Sequence, residues 1–196
     1  MTKFSPYLLL VLFGVASTPQ LLYFNYNTII IFPPTLFLIT VLLYLDNLKE
    51  FNINKLHDKR FHSMVFTGIQ YCILVQAAGT ILLGITETTF EITATHSPML
   101  ILNTVLFGPV AEETVFRKIL YGGLQRKTNF WFAALTSSFV FALLHYNIQR
   151  FIPYVVIGLI LCFIYKKSQT LASCILIHIV LNLIAVIVSL IKQFVS

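Results

Sequence analysis

Eight residues inside an apolar stretch, Val110-Ala111-Glu112-Glu113-Thr114-Val115-Phe116-Arg117, limit what this chain can become. On insertion scales, each ionised side chain at the centre of a bilayer costs roughly 2.5–3.5 kcal/mol. Three of them within six residues would cost about 8–10 kcal/mol if they faced lipid, which matches the whole stability of a typical domain. The cluster must therefore face the protein interior and find partners there.

Composition says why a bilayer is the right reference. The 196 residues are 58% hydrophobic and 10% charged, whereas soluble domains carry about 25% charged residues. So few charges cannot solvate a soluble surface, and a polytopic membrane protein follows. The formal charge of +6 would suit nucleic acid, but the bases sit at the ends of apolar runs, which is a topology signal instead. Cys72, Cys162 and Cys174 lie in apolar runs without CxxC spacing and read as buried small hydrophobes.

A spanning helix needs about 20 apolar residues. On that ruler the chain reads as an all-α bundle of about seven transmembrane helices, with six to eight admissible, forming a single transmembrane domain over 1–196. The segments fall near 5–24, 28–46, 63–85, 98–124, 129–147, 151–166 and 169–192. Lys3 and the apolar run behind it imitate a signal peptide, but with so many later spans an uncleaved first helix is expected. Pro33-Pro34 is tolerable near the start of the second helix. Gly108-Pro109 should break the fourth helix and restart it just before the acidic pair, leaving 98–107 as a half-helix or re-entrant piece.

Seven spans put Lys3, the loop bases Lys49, Lys55, Lys59 and Arg60, then Arg126-Lys127 and Lys166-Lys167, on one side. The expectation is a multi-pass cell-membrane protein with a cytoplasmic N-terminus. Glu87, Glu91 and His96 fall opposite, with Arg150 and Lys192. The loop residues His57, His62 and His96 read as surface histidines, and Glu87 and Glu91 as solvated acids. No internal repeat is evident, which argues against a transporter with a proton-relay carboxylate.

Two further polar constellations lie deep in apolar segments: Phe141-Ala-Leu-Leu-His145 and His178-Ile-Val-Leu-Asn182. Each is an i,i+4 pair on one helix face. The same spacing pairs Glu113 with Arg117 in the favourable acid-first order, while Glu112 points about 100° away round the helix. Glu112 and His145 each lie roughly 20–25 Å from the loop at 125–128, so they can meet. His178 lies roughly 15 Å from the Lys166-Lys167 end and joins them only if the last helix is shifted.

A carboxylate and an imidazole on one water can strip its proton. An imidazole and a carboxamide one turn apart can donate to a developing oxyanion. Together they amount to amide hydrolysis without a Ser or Cys nucleophile, with Glu112 as the base and Arg117 holding Glu113 ionised. Duller readings exist for every member taken alone. His145 or His178 could be a helix–helix hydrogen-bond partner, Asn182 interhelical glue, Glu113–Arg117 a structural ion pair and Phe141 the packed wall beside His145.

These residues resemble the CPBP intramembrane proteases (the Abi, or CAAX-protease and bacteriocin-processing, family). The motifs EExxxR, FxxxH and HxxxN match as Glu112-Glu113-Thr-Val-Phe-Arg117, Phe141-Ala-Leu-Leu-His145 and His178-Ile-Val-Leu-Asn182, over a core of about 98–185. The resemblance implies a glutamate-dependent intramembrane endopeptidase acting on a peptide or membrane-protein substrate, with bacteriocin self-immunity or peptide processing as its setting. It implies Glu112 and His145 as the water-activating pair, His178 and Asn182 as the oxyanion pair, and Glu113 and Arg117 as support. The alternative is a non-catalytic scaffold or immunity protein binding a receptor or sensor kinase. Lys118 stands where many members have Gly. Glu112, His145 and His178 could ligate Zn²⁺, but there is no HExxH, and no metal cofactor is favoured.

Overall fold

The computed structural model describes residues 57–85, 98–145 and 147–195. The expected spans at 5–24 and 28–46, and His96, Glu87 and Glu91, lie outside the described residues. The described part is all-helical, with no strand.

Helix α1 is Lys59–Leu83. Asp58 caps it by accepting the Arg60 N–H at 2.9 Å, and Gly84 closes it in the left-handed region at φ 63°, where a residue without Cβ fits at no steric cost. Helix α2 is a continuous run over 98–125. Helix α3 is Phe130–Leu143, capped by Asn129 accepting the Phe132 N–H at 2.9 Å. Helix α4 is Phe151–Ser168 and α5 is Leu171–Val195. The turn between the last two needs Gln169 at φ 52°, and its side chain steadies that conformation by donating to Lys166 O.

Among the described residues, three helices are long and apolar enough to cross a membrane: Lys59–Leu83, Phe151–Ser168 and Leu171–Lys192, with Phe130–Leu143 a shorter apolar helix. Exposed Phe66, Leu74, Trp131, Phe139 and Ile187 give these helices apolar outer faces suited to lipid. Inside, contacts are made through small residues, as membrane helix packing requires. Ala133, Ala134, Ser137 and Ser138 of α3 are buried against α4 and α2. Gly158 of α4 lies so close to Ser138 that a Cβ there would stand 2.7 Å from the Ser138 Cβ.

The expected break at Gly108-Pro109 is not there. Both Phe107 and Gly108 keep right-handed helical dihedrals, and 98–107 is no separate half-helix. The helix instead widens to π turns at Asn103–Phe107 and again at Thr114–Tyr121. Proline removes one N–H and its ring crowds the carbonyl four residues back. In the wider register, the Gly108 N–H reaches Asn103 O, five residues back, which absorbs the defect without breaking the rod. Helix α3 also ends earlier than expected, at Leu143, so His145 stands in the turn behind it.

Candidate active site

The six-residue α-helical segment between the two π turns, Gly108–Glu113, carries both carboxylates. Glu113 and Arg117 are fully buried and paired, Arg117 Nε to Glu113 Oε2 at 3.0 Å. The guanidinium also lies 4.6 Å from the Phe141 ring centroid, so a quadrupole face and a carboxylate share its charge. The other carboxylate oxygen, Glu113 Oε1, is 2.7 Å from His178 Nδ1. A carboxylate held by an arginine accepts, so Nδ1 of His178 carries the proton and donates.

That leaves His178 Nε2 facing Glu112, at 3.8 Å from Oε2. His145 arrives at the same oxygen from the turn that follows α3, with Nε2 4.0 Å away. Its Nδ1 is 2.8 Å from Phe141 O. A carbonyl only accepts, so Nδ1 is again the protonated nitrogen and Nε2 again faces Glu112. Phe141 walls the site, its ring 4.4 Å from that of His145 and 6.1 Å from that of His178.

Asn182 donates from Nδ2 to Thr104 O at 2.8 Å, tying α5 to the first π turn of α2. His178 does join the site, 3.8 Å from Glu112, on a helix α5 that packs across α2 and α1 as well as α4. All of Glu112, His145, His178 and Asn182 line one cavity of about 500 Å³, which Phe141 also lines and which extends to Arg150 and Lys192.

The cavity also holds polar groups that no motif picked out. Gln76 and Thr80 come from α1, Asn103 and Thr104 from α2, and Tyr154 from α4. The Tyr154 ring lies 4.3 Å from that of His145. An isolated Asn or Gln in an apolar run was the available signal, without a second residue at helical spacing to strengthen it. Away from the site, Cys72, Cys162 and Cys174 are free and buried, and His57 and His62 are exposed. Lys118 is partly exposed in the second π turn, outside the cavity lining.

A tetrahedral zinc ion with bonds of about 2.0–2.1 Å sets its ligand atoms about 3.3–3.4 Å apart. Glu112 and the two imidazoles would have to close by about half an ångström to hold one, given their 3.8 and 4.0 Å separations. Among the described residues, no group of three or more His, Cys, Asp or Glu has metal-site spacing. One water hydrogen-bonded at about 2.8 Å to each partner spans such gaps at an angle of about 85–90°.

Among the described residues, fold and cluster together define an all-helical bundle, built for a membrane, with a charged and histidine-rich site sunk between its helices. Residues 94–184 match the model of the family described as "Type II CAAX prenyl endopeptidase Rce1-like", so the resemblance carried by the three motifs is borne out. The chain is 36% identical over 93 residues to YdiL of Bacillus subtilis (strain 168), provisionally named a membrane peptidase, a match covering 47% of this chain and 38% of that protein. It is 32% identical over 136 residues to the membrane-embedded CAAX protease MroQ of Staphylococcus aureus (strain USA300), covering 66% of this chain and 55% of that one. The matches thus span about two-fifths to just over half the length of these relatives. No solved structure gives a significant match. Apolar helices and membrane-peptidase relatives both point to a membrane protein.

Proposed function

We propose that the chain is an intramembrane endopeptidase in which Glu112 and His145 activate a water that attacks a peptide carbonyl. The observation that carries this reading is the convergence of two imidazole Nε2 atoms on one carboxylate oxygen, Glu112 Oε2, inside the cavity. Glu112 takes the proton of a water also hydrogen-bonded to His145 Nε2, and the water oxygen adds to the carbonyl carbon. Asn182 has a second Nδ2 hydrogen besides the one given to Thr104 O, and this donates to the oxyanion. With Nδ1–H committed to Glu113, His178 becomes an oxyanion donor when the proton from the water reaches its Nε2 across Glu112. Collapse expels the amine, which carries that proton away. Glu113 and Arg117 hold His178 in place and cancel each other's charge, and no step calls on a metal.

The same proposal places the basic end of the bundle, with Arg126, Lys127, Lys166 and Lys167, on the cytoplasmic side of the cell membrane, together with the N-terminus. Its setting is peptide processing or self-immunity against a bacteriocin, as the family resemblance suggests.

The test uses the full chain in lipid nanodiscs and a panel of internally quenched hydrophobic peptides, including a farnesylated CAAX peptide. Glu112→Ala and His145→Ala, at normal protein levels, should each reduce cleavage by at least about 100-fold, the scale of a lost general base. Cleavage that persists in both variants refutes the reading.

A further inference from the structure

Asn103 belongs to none of the three motifs, yet it lines the cavity with Glu112 and sits at the start of the first π turn. Its Oδ1 is buried and has no hydrogen-bond partner. A buried acceptor without a partner is costly and calls for a reason. Its neighbours suggest one. Asn103, Thr104, Gly108 and Glu112 are the cavity-lining residues of α2 and form one stripe along it. In the middle of that stripe Gly108 leaves room: a Cβ there would stand 3.0 Å from Asn103 O and 3.5 Å from Glu112 Oε1. A glycine between two polar groups, on the wall of a cavity, is where another backbone can approach closely.

We infer that this stripe seats an extended stretch of the substrate, with the Asn103 carboxamide oxygen accepting a backbone N–H of the bound peptide. This rests on the hydrolase reading and adds a substrate-binding residue to it. Register follows from helix and strand rises. Asn103 and Glu112 are nine residues apart, about 13 Å along the helix at 1.5 Å per residue. An extended peptide covers that in about four residues at 3.3 Å each. Asn103 therefore meets the N–H three to five residues from the bond attacked by the water that Glu112 activates. The soft terminal torsion of asparagine lets the carboxamide turn toward the cavity without backbone movement. The interaction is made to main chain, so it aligns the peptide without selecting side chains.

The test takes the fastest-cleaved peptide of the panel and N-methylates it one residue at a time, against wild type, Asn103→Leu and Asn103→Asp in nanodiscs. One methylated position, three to five residues from the scissile bond, should raise KM about five- to tenfold in wild type, the scale of one hydrogen bond. In Asn103→Leu, KM for the unmodified peptide should already be raised by that factor, kcat should stay within about twofold, and the methyl group should add less than twofold. Asn103→Asp keeps an acceptor in either protonation state and should restore the wild-type pattern. If Asn103→Leu does not fold, Asn103→Ala carries the same comparison. A methyl scan in which wild type and the variant respond alike overturns the inference, as does an equal loss of kcat for every peptide, which marks a merely structural residue. Cleavage that depends on Glu112 while Asn103 proves indifferent leaves the hydrolase reading standing and removes only this one. Cleavage of no peptide by wild type removes both.

Discussion

Replacing Arg117 by methionine should cost about 3–5 kcal/mol of stability, and a second substitution should return most of it. Both Arg117 and Glu113 are fully buried, and their contact is 3.0 Å. Methionine keeps most of the side-chain volume but strands the Glu113 carboxylate, and an uncompensated buried charge costs about 3–5 kcal/mol. Glu113→Gln alone strands the arginine instead and should cost a similar amount. The double variant Glu113→Gln/Arg117→Met buries no charge at this position. A glutamine Oε1 can still accept the His178 Nδ1–H now given to Glu113, so the double variant should recover to within about 1 kcal/mol of wild type. The measurement is unfolding by SDS in mixed micelles, followed by circular dichroism at equal protein concentration. If Arg117→Met unfolds within about 1 kcal/mol of wild type, or the double variant is no better than the worse single one, the pair is not what makes the buried charge tolerable.

Two glycines make a contrasting pair in the same unfolding assay. Gly158→Ala would place its methyl 2.7 Å from Ser138 Cβ and 3.0 Å from Ser138 Cα; backbone cannot swing aside, so about 1–3 kcal/mol should be lost. Gly68→Ala meets mainly the tip of Ile177, Cδ1 at 2.5 Å, which can change rotamer, and should cost less than about 1 kcal/mol. Phe141→Ala removes the face under Arg117 and the wall beside His145 and should cost about 3–5 kcal/mol; a loss under about 1 kcal/mol would mean that the ring is not packed as described. Pro109→Ala restores an N–H that permits ordinary α-helical register. Stability should be unchanged or higher while peptide cleavage falls, as the turn bearing Asn103 and Thr104 rotates; full activity would show that the π turn does not matter for cleavage.

The sequence disclosed the described helices and the identity of the buried cluster because both rest on strong local signals. Apolar runs of spanning length set the helices, and i,i+4 spacing set which side chains share a face. Glu113 with Arg117 could be read that way because both sit on one helix. What could not be read were relations between helices and departures from regular register. Nothing local says that His178 turns its Nδ1 toward Glu113 rather than keeping both nitrogens for the cavity, since that depends on how α5 crosses α2. Gly108-Pro109 misled for a related reason. Proline's local preference says break, but a helix in an apolar setting loses more by exposing unpaired backbone than by widening one turn, and the neighbouring glycine makes the wide turn feasible. Asn103 went unnoticed because a single polar residue has no period.

The insertion cost of the cluster can now be divided among its members, and the division bears on reactivity. Glu113 and Arg117 neutralise each other at 3.0 Å, so together they present the surrounding helices with a dipole rather than two charges. One net charge is left, on Glu112, and its Oε2 has no hydrogen-bond partner. Among the described residues, two imidazole nitrogens stand 3.8 and 4.0 Å from it. The Glu112 side chain is 21% exposed and lines the cavity, so it does not bear the full cost of a charge facing lipid. Both histidines are turned so that their remaining nitrogens point at this oxygen, one by Glu113 and the other by Phe141 O. Neither therefore donates a hydrogen bond to Glu112 while neutral. In the proposed reaction, this leaves Oε2 open to take a proton from water without first losing a protein donor. By the same argument, a substitution that gave Glu112 a permanent hydrogen-bond donor would make the protein more stable and less active.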